Sequence, residues 1–207
     1  MPGSITSDVS AASEATGGDA SVEQPLQTPW TFWFDRLSPE PYCETLQRLG
    51  TVHSVQGFWR YYCNLTRPGQ LQPGDNYHLF RGALTPALES IPGGGCWMYK
   101  LERAVDSEPA GRDVEINQLW ESLLLSLVGE TVGEPCVVGA GVSVRQREVA
   151  LSVWCEYDGD AESPSRVGSA LANLFADTND GRLQWRDVPT SLPRRARSSA
   201  HGNAVLS

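Results

Sequence analysis

Residues Cys136 to Glu156 read CVVGAGVSVRQREVALSVWCE, two alternating runs on either side of Gln146-Arg147-Glu148. Val142 and Val144 share one side of the first run, and Val149, Leu151 and Val153 share one side of the second. Side chains alternate faces along a strand, so this period predicts a hairpin with one apolar face against a core. The opposite faces then coincide as well, bringing Ser143, Arg145, Ala150, Ser152 and Trp154 onto one surface. A planar aromatic beside a forked guanidinium suits a nucleotide, because bases stack on aromatic faces and phosphates pair with Arg in bidentate geometry. The plainer alternative for the same two residues is a Trp covering a sheet face and a solvated Arg.

Towards the N-terminus, Ile116, Leu119, Trp120, Leu123, Leu124 and Leu127 recur at helical spacing. They predict an amphipathic helix from Asp113 as N-cap to Gly129 as C′ residue. Strands are expected around Cys96 to Leu101 and Tyr77 to Phe80, with a loop through Leu84 to Ser90 between them. Gly93-Gly94-Gly95 imply a mobile loop and no phosphate cradle, since no Gly-Lys-Ser/Thr follows. Gly139-Ala140-Gly141 opens no helix and is no dinucleotide fingerprint. Ser54 is a good N-cap for a helix reaching about Leu65, with Val55, Phe58, Tyr62 and Leu65 as its stripe. Trp59 lies at the edge of that stripe and by position alone reads as core. A short strand near Thr51 to His53 precedes this helix, and Tyr42 stands on a loop with Pro39 and Pro41. Trp30 to Phe34 is an aromatic strand in which Trp33 faces away from Trp30, Phe32 and Phe34. Residues 1–24 carry almost no large apolar side chain and are expected to be a disordered arm.

Beyond the hairpin, Ser163-Pro164 starts a third helix, with Pro at N1 and Val167, Ala170, Leu171, Leu174 and Phe175 as its stripe. Leu183 to Val188 is a last strand, and residues 191–207 form a flexible basic tail containing Arg194 and Arg195. The whole is one domain over residues 25–190 of class α+β, an antiparallel sheet of seven or eight strands with three helices on one face. The face bearing Trp154 and Arg145 is left for a ligand.

The formal net charge of -9 and a pI of about 4.8 exclude a protein that binds nucleic acid mainly by neutralising many phosphates. Any anion site must be local. Lys100 is the only lysine, so every other fixed cation is an arginine. Five cysteines without a CxxC pair argue against zinc or a disulfide framework. With scattered histidines, no nucleophile–base constellation and no carboxylate cluster for a metal, the chain is expected to be no enzyme and to need no cofactor. An N-terminus without an apolar segment or an Arg or Lys before Arg36, and no long apolar run, predict a soluble protein of the cytoplasm, with the nucleus also open to it, and no membrane contact.

Pro25-Leu26-Gln27 with Trp30 and Trp33-Phe34, then Val55, Phe58-Trp59 and Tyr62, then Trp120 to Leu125 with Leu127-Val128-Gly129-Glu130, then Val142, Val144-Arg145 and Trp154 stand in this order. The set resembles the messenger-RNA cap-binding translation initiation factor 4E family, from about Pro25 to Trp185. The resemblance implies a cupped antiparallel sheet of about eight strands with three helices on its convex back, and a concave face that binds the 7-methylguanosine cap of mRNA. It puts Tyr42 and Leu88 on the two sides of the base, Glu89 on the base's N1 and N2 edge, Trp154 at the N7-methyl group and Arg145 on a phosphate. N7-methylation makes the purine a delocalised cation, so stacking gains a cation–π contribution. On the convex face the resemblance implies docking of a scaffold initiation factor of the 4G type, or of a 4E-binding regulator, at Pro25, Val55, Trp59, Glu121 and Ser122, which turns Trp59 from core to exposed.

Three departures stand out, and they look like those of divergent members of the family, protists included. Leu88 occupies the place of the family's second stacking Trp. Ala150 occupies that of a second phosphate-binding Lys, for which Arg147, Arg194 or Arg195 would substitute. Glu121 and Ser122 replace an apolar-then-acidic pair. Leu88 and Ala150 favour the alternative of a fold-retaining interaction subunit or translational repressor with weak or altered cap binding.

Overall fold

The structure, a computed structural model of the chain, describes residues 23–189 apart from 41, 104–108, 177, 179 and 180. Most of the expected arm, the tail, and with it Arg194 and Arg195, lie outside the described residues. In chain order the elements are β1 (Pro25–Arg36), α1 (Tyr42–Thr45), β2 (Gln47–Ser54), α2 (Val55–Tyr62), β3 (Asp75–Arg81), β4 (Gly95–Glu102), α3 (Pro109–Val128), β5 (Val137–Val144), β6 (Glu148–Cys155), α4 (Ser163–Leu174) and β7 (Arg182–Asp187). The strands form one antiparallel sheet in the order β2-β1-β3-β5-β6-β4-β7. Seven strands are present among the described residues, where about eight are expected.

The register explains the two faces. One row runs Phe32, Leu79, Ala140, Val153, Trp97, Trp185 from β1 to β7, and the next runs Phe34, Tyr77, Val142, Leu151, Tyr99, Leu183. These rows lie under the helices and form the main core with Phe58 and Tyr62 of α2, Ile116, Trp120, Leu123, Leu124 and Leu127 of α3, and Val167 and Leu171 of α4. Each such side chain, fully buried, contributes about 1.5–3 kcal/mol. The intervening residues make the other face: Asp35, Asn76, Ser143, Ala150, Lys100, Arg182 in one row, and Trp33, His78, Gly141, Ser152, Met98, Gln184 in the next. The hairpin pairs Ser143 with Ala150 and Gly141 with Ser152, as the alternation predicts.

Several local expectations need correction. The Ser54 hydroxyl does cap α2, accepting from the Gly57 N–H at 3.0 Å, but the helix ends at Tyr62 and leaves Leu65 beyond it, and Val55 is only half-buried. The Trp30 strand and the Thr51 strand both extend well past their apolar centres, because each finds a partner along its length. Tyr42 opens a single helical turn instead of lying in an irregular loop. α3 begins before Asp113, and its left-handed C′ residue is Glu130, at φ 54°, instead of Gly129. The turn there is complete: Glu130 N–H reaches the Leu127 carbonyl at 3.0 Å and Thr131 N–H reaches that of Ser126 at 2.9 Å. The cost of a left-handed non-glycine residue is offset by the Glu130 carboxylate, which accepts two hydrogen bonds from Arg81 and one from Thr28, each at 2.9 Å.

In α4, Ser163 takes the first helical position and Pro164 the second. The Gly93 stretch is no mobile loop at its far end. A Cβ on Gly94 would stand 2.2 Å from the Cys155 carbonyl oxygen, and one on Gly95 would stand 2.0 Å from the Trp185 ring, so both are packed too closely for any side chain.

Candidate functional site

A cleft of about 480 Å³ opens on the face opposite α2, α3 and α4. That is a size suited to a nucleotide base and its sugar. Its floor is the row Asp35, Asn76, Ser143 with His78 and Trp154. Its walls are Tyr42 and Leu37 after β1 on one side, and Pro86 to Glu89 after β3 on the other. Four separate stretches thus bring Tyr42, Leu88, Glu89, Trp154 and Arg145 to one place. The walls follow the C-terminal ends of β1 and β3, which lie at opposite ends of this antiparallel pair.

Tyr42 is 38% exposed and Leu88 43%, large apolar surfaces left open on opposing walls. The Tyr42 hydroxyl donates to the Pro86 carbonyl at 2.8 Å and ties the walls together. Burial, and then the charges of Asp35 and Glu89, push the phenol well above its ordinary range, which keeps it a donor. Leu88 to Ser90 form one 3₁₀ turn, and Glu89 is exposed on it. Trp154 packs edge-on against Phe80, with centroids 5.4 Å apart, and its Nε1–H donates to the Ser152 hydroxyl at 3.1 Å. The indole is therefore fixed as a rigid plate in the floor.

Arg145 closes the open end. It follows β5 directly, and its Nη1 donates to the Asn76 side-chain oxygen at 2.9 Å and to its neighbour's carbonyl, that of Val144, at 2.8 Å. Asn76 in turn donates to Asp35 Oδ2 at 2.6 Å, and Asp35 Oδ1 lies 2.6 Å from His78 Nε2. The result is a continuous chain from Arg145 to His78 along the floor, whose members polarise one another. The glycines of β5 make room for it: a Cβ on Gly139 would stand 2.6 Å from the Phe80 ring, and one on Gly141 would stand 2.8 Å from His78 Nδ1.

Arg147 is exposed in the hairpin turn and does not line the cleft. The cation that stands next to Ala150 is Lys100, directly opposite it on β4 and on the same face. Its ammonium is held by both oxygens of Glu148 at 2.9 and 3.1 Å, half-exposed, with Arg182 across from it on β7. Asp35, Asn76, His78 and Lys100 escape a reading of the sequence because only the strand register puts them beside Arg145 and Ala150. Among the described residues no group of His, Cys, Asp and Glu could hold a metal ion. Burial pushes the Cys96 thiol up to about 12, with Arg186 opposing the rise.

On the convex face, Trp59 is 37% exposed, with its ring edge against Phe58 and Tyr62. It is not core, in line with the resemblance and against its position on the stripe. Pro25 is exposed at the start of β1 opposite Ser54, which caps the helix carrying Trp59. Glu121 lies close enough to the Tyr62 phenol to raise it after burial has done most, so α3 and α2 adjoin here. Ser122 is exposed beside Glu121, and Leu125, one turn on from Glu121, leaves open an apolar surface that the helical stripe does not include. Glu23 closes the edge of the face, accepting from Ser54 and Arg60 at 2.6 Å each. No helix among the described residues is long and apolar enough to cross a membrane.

A single curved sheet with helices on one side, an aromatic and carboxylate-lined cleft on the other and an arginine at its mouth defines a nucleotide-recognising binding protein of the α+β class. A family model described as eukaryotic initiation factor 4E matches residues 25–201, and the chain belongs to that family. Eukaryotic translation initiation factor 4E of Saccharomyces cerevisiae is 28% identical over 171 residues, 79% of this chain and 76% of the yeast one. C. elegans eIF4E-3, solved with the 4E-binding protein Mextli and a cap analog, superposes with a TM-score of 0.65 at 26% identity over 78% of this chain and 92% of its own. Ascaris suum eIF4E-3, solved with an m7G cap, gives a TM-score of 0.72 over 83% and 95% of the two chains, a likeness of fold at 21% identity.

Proposed function

We propose that this chain binds the 7-methylguanosine cap of mRNA in the cleft, and a scaffold initiation factor or 4E-binding regulator on the convex face around Trp59, in translation initiation. The observation that carries this is the convergence of Tyr42, Leu88, Glu89, Trp154 and Arg145 on one cleft of suitable volume. The base lies between the Tyr42 ring and the Leu88 side chain. The cationic purine draws a cation–π contribution from Tyr42. Glu89 accepts from the two adjacent N–H donors of the guanine edge, which a carboxylate matches and a neutral side chain does not. Trp154 packs against the methyl group. Arg145 takes the phosphate nearest the ribose, and Lys100, released from Glu148, takes the place that Ala150 leaves empty. No chemical step is assigned to any of these residues.

The experiment is retention of the protein on immobilised 7-methylguanosine nucleotide, with elution by free m7GTP and by GTP. Elution by m7GTP alone, lost in Tyr42→Ala, is the expected result, whereas a protein that never binds the matrix overturns the cleft assignment. Leu88 and Ala150 favour a second outcome, an interaction subunit that engages partners through Trp59 while holding cap weakly. For that protein Tyr42→Ala changes nothing and Trp59→Ala abolishes partner capture.

A further inference from the structure

We infer that Asp35 is a second carboxylate of the cleft, and that it selects a cationic base, N7-methylated guanine, over the neutral one. This rests on the cap-binding reading above and adds to it a residue that neither the hairpin pattern nor the resemblance picks out.

Asp35 is 4% exposed yet lines the cleft beside Tyr42, Asn76 and His78. A carboxylate so placed costs several kcal/mol unless it is partnered. Its partners here are the Asn76 amide and the His78 ring, at 2.6 Å each. The His78 ring proton belongs on Nε2, facing Asp35. Nδ1 is buried with no hydrogen-bonding partner and looks onto the bare backbone of Gly141. A second proton there would be a buried donor with nothing to accept it. With Nδ1 bare, the pair keeps the negative charge of Asp35.

The nearest cation along the network is Arg145, one amide further on. The floor is thus dipolar, negative under Tyr42 and positive at the mouth of the cleft. An N7-methylated guanosine nucleotide is dipolar in the same sense, with a cationic ring and anionic phosphates, whereas unmethylated GTP offers only the anions. Complementarity of this kind sets specificity more than raw affinity. The rise of the Tyr42 phenol, to which burial contributes first and Asp35 and Glu89 next, agrees with a field at that wall made by two carboxylates. Asp35 would thereby make up for part of what Leu88 lacks as a stacking partner.

The test is the ratio of GTP to m7GTP dissociation constants in wild type and in Asp35→Asn. The amide introduced by Asp35→Asn keeps the outline of the site but, to keep both hydrogen bonds, moves the imidazole proton to the unpartnered Nδ1, a cost in stability that falls on both nucleotides alike and leaves their ratio readable. In wild type alone, the triphosphate of 7-methyl-7-deazaguanosine supplies a neutral base of the same outline. The expected result is a fall in the ratio of about tenfold in Asp35→Asn, the size of a cation–carboxylate interaction in a half-solvated site, and weaker wild-type binding of the deaza compound. An unchanged ratio in Asp35→Asn, including equal loss of both nucleotides, overturns the inference. If Asp35→Asn does not fold, equal binding of m7GTP and its deaza analogue by wild type overturns it alone. A wild-type protein blind to the methyl group would instead refute the cap reading itself, before any substitution is made.

Discussion

The two faces of the sheet are built from alternate residues of the same strands, yet they obey different rules. On the helix side, Phe32, Leu79, Ala140, Val153, Trp97 and Trp185 form a continuous apolar row in which neighbours support one another by contact alone. On the open side, Asp35, Asn76, Ser143, Ala150, Lys100 and Arg182 form a row whose charged members need named partners. A substitution on the first face is felt as lost stability, and one on the second as altered recognition. The same chain can therefore change its ligand preferences while its core stays put.

Breaking the apolar face should give the largest effect. Phe32, fully buried between β1 and the helices, is expected to cost about 3–5 kcal/mol when cut to Ala, measurable as a fall in the urea midpoint with an unchanged slope. An unaltered midpoint would mean that the helices do not pack on that row. Next is Tyr42→Ala on the open face. It should leave the unfolding free energy within about 0.5 kcal/mol of wild type while costing roughly 1–3 kcal/mol of m7GTP binding, the worth of one stacked base. A large loss of stability instead would make Tyr42 a structural clamp between its loop and Pro86.

The comparison can also be sharpened by a gain. Leu88→Trp should tighten m7GTP by roughly tenfold without moving the urea midpoint, because the side chain it replaces is already open to solvent. The smallest effect is expected at Lys100→Ala. Glu148 already holds the ammonium, so the loss in m7GTP affinity should be only a few fold, but the salt dependence of binding should flatten by about one unit of slope. An unchanged slope would exclude Lys100 from the phosphate site.

What could be read from the sequence follows the same division. The hairpin faces, the Ser54 cap and the apolar side of α3 were legible because each is a short-range pattern, two or four residues in period. Arg145 and Trp154 were legible together from the hairpin alternation, whereas Tyr42, Leu88 and Glu89 were legible only as matches to a family pattern, since nothing local says that distant stretches meet. Asp35 and Lys100 were not legible at all. Each acquires meaning from the residue across the ladder, Asn76 for one and Ala150 for the other, and register between distant strands leaves no mark within either strand. Glu130 is of the same kind: its left-handed backbone is held by Arg81, far away in the chain. Gly139 and Gly141, without purpose as a phosphate loop, find theirs in rings carried by β3.

The measurement closest to the central claim is a tryptophan-fluorescence titration of the wild-type protein with m7GTP and with GTP, at low and high salt. Trp154 lies in the floor of the cleft and reports its occupation. The account predicts saturable quenching by m7GTP that persists at high salt, with GTP bound at least tenfold more weakly, a difference of about 1.4 kcal/mol. Equal quenching by both nucleotides that fades together with salt would contradict it, leaving Arg145 as an unspecific anion contact and the convex face as the working surface of the molecule.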